Sequence, residues 1–131
     1  MCHLITFTSA KFDAASETPN PINPIAGKSV LAWLRDELRG DEREVTSPEA
    51  EDWGWYFYVQ SAEGTYLVGA SSDVDEPEPR EWKIQVCRER SALDKLLGRN
   101  KLNDVDALSL QIEGIIRRGA EAQNVQVDRR A

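Results

Sequence analysis

From Trp53 to Glu89 the chain presents three strand-like runs, WGWYFYVQ, TYLVGAS and EWKIQVCRE, each rich in aromatic and β-branched residues. Such side chains suit a pleated, half-buried surface. The first two runs are separated by SAEG, short enough for a hairpin with Gly64 at its turn. The second and third are separated by SDVDEPEPR, which is acidic, twice interrupted by proline and therefore a solvated loop. A centre of this kind commits the chain to an antiparallel meander, and every other segment has to pack around it.

The flanking segments divide readily. HLITFT, residues 3–8, alternates in a β-rich composition and predicts a first strand. The following stretch carries Pro19, Pro21 and Pro24 and reads as a tethered loop, with Asn23-Pro24 placed to begin the next helix. SVLAWLRDELRG repeats apolar residues at 30, 31, 34 and 38, with Trp33 beside them, and predicts a helix stopping at Gly40. Residues 41–52, acidic and containing Pro48, read as an exposed connection. Ser91 followed by Asp94 opens a short helix that closes at Gly98. A longer helix follows, with Val105, Leu108, Ile112, Ile115 and Ile116 on one stripe and Arg117 and Arg118 at its C-terminal end. NVQVDRR predicts a last strand. The expected order is β-α-β-β-β-α-α-β: an α+β two-layer sandwich over residues 1–131 as a single domain, with a mainly antiparallel sheet and helices on one face.

Five aromatic rings fall within Trp53–Tyr58. Strand alternation places Trp53, Trp55, Phe57 and Val59 on one side and Tyr56, Tyr58 and Gln60 on the other. The Trp82, Ile84 and Val86 series of the third strand favours burying the first set under the helices. Tyr56 and Tyr58 then form an exposed platform, joined by Tyr66 if its strand is turned the same way.

Charge and motifs limit the chemistry. The net charge is −7, distributed as 5 basic against 15 acidic residues over 1–79 and 11 against 8 over 80–131. Nucleic-acid binding is disfavoured overall and would need a concentrated basic face, for which Arg88, Arg90, Lys95, Arg99 and Lys101 are the candidates. Of these, Arg88, Arg90, Arg99 and Lys101 are the expected anion-binding residues. AGKSV resembles the end of a phosphate loop, but the glycine required five positions before Gly27 is Ile22. Helix capping is the better reading there. One histidine and two scattered cysteines cannot build a zinc site, so no metal and no cofactor are expected. Cys2 and Cys87 have no CxxC spacing, and free thiols are the working expectation. An N-terminal thiol nucleophile at Cys2 has too few partners around it to be favoured. The N-terminus lacks the marks of a signal peptide and no apolar run approaches the roughly 20 residues of a span, so a cytoplasmic protein without membrane contact is expected.

These readings converge on a non-catalytic module of the adaptor, inhibitor or immunity/antitoxin type that binds another protein. Its candidate contacts are Tyr56, Tyr58 and Tyr66, with Glu49, Glu51, Asp52, Asp73, Asp75 and Glu76 favouring a basic partner. A second copy of the chain is an alternative partner through an edge strand. The rival expectations are a small-molecule pocket between the sheet and the first helix, with Cys87 or a carboxylate as its reactive group, and a nucleic-acid binder using the C-terminal basic residues.

Overall fold

The computed structural model describes residues 2–39 and 43–129. Its strands are β1 (Cys2–Ser9), β2 (Ile25–Ala26), β3 (Glu44–Val45), β4 (Glu49–Glu51), β5 (Gly54–Ser61), β6 (Gly64–Asp73), β7 (Arg80–Arg88) and β8 (Gln123–Asp128). The helices are α1 (Lys28–Leu38), α2 (Ala92–Leu97) and α3 (Ala107–Gly119). The described residues thus form an α+β structure around an antiparallel sheet ordered β3-β5-β6-β7-β1-β8, with β4 also on β5 and β2 on β6.

The meander β5–β6–β7 forms the middle, as its composition requires. β1 then docks on the far side of β7, pairing Ile5 with Ile84 and Phe7 with Trp82. This register builds one continuous apolar face from Ile5, Phe7, Phe57, Val68, Trp82 and Ile84, none more than 1% exposed. The buried stripe of α1, Val30, Leu31, Leu34 and Leu38, and that of α3, Leu108, Ile112, Ile115 and Ile116, join the same core. Phe12 plugs its margin between Trp33 and Trp82, with ring centroids 5.2 and 5.7 Å away.

Several expectations are corrected. The 41–52 connection contains two short strands, β3 and β4, both paired with β5. Helix α1 begins at Lys28 rather than at Asn23-Pro24. The carboxylate of Glu17 reaches across from the proline-rich loop and accepts from the backbone N–H groups of Gly27, Lys28 and Ser29 and from the Ser29 hydroxyl. The chain's own carboxylate therefore fills the anion site that a helix N-terminus creates. Gly40, the expected stop, lies outside the described residues. Val105 does not belong to the α3 stripe. The side chain of Asp106 caps α3 by accepting from Ser109 N, which leaves Val105 before the helix and 75% exposed. Helix α2 has the predicted capping box and a left-handed Gly98, yet buries none of its residues.

The cysteines are not free thiols. Register sets Cys2 directly opposite Cys87, with Cα atoms 4.4 Å apart, and the two form a disulfide. Their distance in sequence conceals this adjacency, because only the β1–β7 pairing brings them together. Among the described residues no helix is long and apolar enough to cross a membrane.

Candidate functional site

The sheet has a second face. The alternation that buries Phe57 and Val59 turns Tyr56, Tyr58 and Gln60 outward on β5, Leu67, Gly69 and Ser71 on β6, and Lys83 and Gln85 on β7. Leu4 and Thr6 continue the face on β1, and its residues are half-buried or exposed apart from Gly69.

Trp53 belongs to this face and not to the core. Period-two alternation assigns it to the Trp55 side, but Gly54 intervenes with φ at 152°, a conformation open to glycine. The chain turns there, and the Trp53 indole comes down over Gly69. A Cβ at position 69 would lie 2.6 Å from the indole ring, so only glycine lets the indole rest there. The Trp53 and Tyr56 rings stand 6.2 Å apart, and Tyr56 meets Tyr58 edge-on at 5.5 Å. The three rings form one cluster within the distances at which aromatic pairs attract. Burial, then the Glu49 carboxylate facing it from β4, raises the Tyr56 phenol above its ordinary pKa.

Two concavities flank Trp53. One, of about 350 Å³, is lined by Leu4, Gly69, Ser71, Lys83 and Gln85. The other, of about 410 Å³, includes Ser71, Asp73, Glu76, Glu81 and Lys83. Trp53 and Lys83 border both, and Lys83 has no ion-pair partner among the described residues. Of the predicted acidic contacts, Asp73 and Glu76 thus reach the rim, while Glu49 and Glu51 lie opposite Tyr56 and Gly54 on β4. Asp75 donates its backbone N–H to the Asp73 side chain, and the Asp52 carbonyl accepts from Asn23. Both are exposed.

Tyr66 is a correction. It is fully buried, and its hydroxyl donates to the Asp106 carboxylate at 2.8 Å. Its register opposite Val59 and Arg88 aligns it with the buried face of the sheet. Burial and the Asp106 carboxylate hold the phenol protonated far above its ordinary range. It therefore offers nothing to a surface partner.

The basic candidates at the end of β7 mostly hold carbonyls. Arg88 donates to Glu63 O and to the Asn100 side chain, and Arg90 donates to Arg99 O at 3.0 Å and to Asp94 O at 3.3 Å. Arg99 lies 3.8 Å from Asp94, and Lys101 is exposed.

A serine, a histidine and an aspartate also meet. His3 Nδ1 lies 2.5 Å from Ser109 Oγ, and Asp106 caps the turn that carries Ser109. His3 and Ser109 are each 1% exposed, so no substrate reaches the hydroxyl, and the group is packing chemistry. Cys87, in its disulfide, is not a reactive thiol. The sheet-facing side of α1 is filled by leucine and valine without exposure.

Comparison with protein-family models, with curated proteins and with solved structures gave no match.

Proposed function

We propose that the chain is a protein-binding module, of the adaptor, inhibitor or immunity kind, that engages its partner through the uncovered sheet face. The observation carrying this reading is the Trp53–Tyr56–Tyr58 cluster on that face. Tryptophan and tyrosine dominate the energetics of protein interfaces because they bury large area at little conformational cost. The carboxylates of Glu49, Glu51, Asp73 and Glu76 around the cluster favour a basic partner by steering its approach. A disposition to catalysis finds no support in the sealed Ser109–His3 pair.

The test is affinity capture from the native host with the wild-type chain and with a Trp53→Ala/Tyr56→Ala double variant. A stoichiometric partner should be recovered by the wild type and lost by the variant, with affinity reduced about tenfold to a thousandfold. Its on-rate should fall with salt. Equal recovery by both proteins would overturn the assignment to this face.

A second reading rests on the concavities beside Trp53. A small polar molecule held by Lys83, Gln85 and Ser71 would appear in native mass spectra as a retained mass that Lys83→Ala loses.

A further inference from the structure

The α2 segment poses a problem of its own. Leu93, Leu96 and Leu97 stand at i, i+3 and i+4, the spacing of a helix that buries one stripe. Yet they are 55, 81 and 56% exposed, and Val105 nearby in sequence is 75% exposed. A helix of six residues has little stability in water of its own. Here local chemistry holds it: the reciprocal Ser91–Asp94 capping box at one end, and at the other Gly98 in the left-handed conformation with its N–H bonded back to the helix. The chain thus builds a preformed helix and presents its apolar side to solvent.

The surrounding charge is positive. Residues 88–101 contain five basic and two acidic residues. Arg88 and Arg90 are satisfied mainly by carbonyl oxygens, which fix the guanidinium groups without neutralising them. Of the two acids, Asp94 is engaged in the cap and faces Arg99. Lys95 and Lys101 are exposed and have no ion-pair partner among the described residues. The placement adds to this. β7 runs from Arg80 to Arg88, so the acidic 73–78 loop and the cationic 88–101 segment lie at opposite ends of the same strand.

We infer that this pole is a docking surface for an anionic lipid bilayer. The α2 leucines enter the boundary of the acyl chains while the lysines and arginines meet headgroup phosphates, which is how short amphipathic segments bind at an interface. The composition separates this surface from the aromatic face. Protein interfaces are depleted in lysine, and their dominant residues are tryptophan, tyrosine and arginine rather than leucine. Here three leucines stand beside Lys95 and Lys101 without an aromatic ring, and every residue from 91 to 101 except Asp94 is exposed. An exposed apolar helix of this kind suits a deformable surface. Peripheral contact needs no spanning helix, and it does not rest on the reading of the sheet face.

The test is flotation with vesicles of phosphatidylcholine alone or mixed with phosphatidylglycerol, followed for the wild type, Leu96→Glu and Lys95→Glu/Lys101→Glu. The wild type should float with the anionic vesicles and stay down with the neutral ones. Leu96→Glu should lower partitioning by about tenfold or more, and the lysine variant should abolish it, both with unchanged circular dichroism melting. Absence of flotation with anionic vesicles would overturn the proposal. So would flotation that Leu96→Glu retains in full, since the leucines would then play no part. Retention on duplex DNA without flotation, undiminished in Leu96→Glu, would assign the cations to nucleic acid instead.

Discussion

His3 is the chain's only histidine, and it is held neutral. Burial, then the charge of Arg129, lowers its pKa below the ordinary 6.5, against the opposing pull of Asp106, Asp104 and Glu113. Its Nδ1 is engaged with Ser109 Oγ, while Nε2 is buried with no hydrogen-bond partner among the described residues. A group whose pKa is depressed by folding takes up protons more readily in the unfolded chain. Stability is therefore complete above the unfolded pKa and is lost as pH falls from about 6.5 toward the folded value. Urea denaturation between about pH 7.5 and 5.5 should show this loss, and His3→Asn should flatten it. With no second histidine, a wild type equally stable at both ends would mean that His3 is not sealed. The same scale explains which residues the sequence misplaced. Tyr66 and Tyr58 are the same residue type in neighbouring strands, and composition cannot say which face each takes. Only the register, with Tyr66 opposite Val59 and its hydroxyl on Asp106, settles that one is core and the other surface.

At the scale of elements, the cap of α1 is the clearest dependence. Glu17 serves three backbone N–H groups and one hydroxyl from a loop ten residues upstream. Glu17→Ala should cost about 1–3 kcal/mol in chemical denaturation, the range for unmaking charge-assisted hydrogen bonds to partly buried donors. Glu17→Gln should fall between the two, since it keeps one acceptor oxygen. An unchanged midpoint for Glu17→Ala would mean that water replaces the carboxylate without loss. This cap was not legible, because no short-range pattern links Glu17 to Lys28. The meander was legible, since the aromatic alternation of β5–β7 is strong and each run is long. β2, β3 and β4 were not: they are two or three residues long, contain glutamate and alanine, and exist only because β5 and β6 offer them an edge. The candidate site was half legible. Tyr56 and Tyr58 follow from alternation alone, whereas Trp53 required knowing that Gly54 breaks the period, for which a glycine at the mouth of a strand is the one visible hint. In α2 the capping box could be read directly, but not that its apolar stripe would face water.

At the scale of the molecule, the Cys2–Cys87 disulfide closes a loop with a sequence separation of 85. Restricting the unfolded chain over such a loop contributes about 2–5 kcal/mol. Cys2→Ser/Cys87→Ser should lower the urea midpoint accordingly while keeping the circular dichroism spectrum, because β1 retains its pairing with both neighbours. An unchanged midpoint would show that the pairing alone constrains β1. The sheet order also has a consequence in time. β5, β6 and β7 are consecutive and can zip together as neighbours, but β1, first in sequence, lies between β7 and β8. Its two partners are drawn from far down the chain, and contacts of such separation form slowly. During synthesis β1 must wait, with Ile5 and Phe7 uncovered, until β7 is made, and its other edge stays open until β8 follows. A strand that ends up flanked on both sides in the finished sheet is thus the one most exposed to misassociation while the chain is being born.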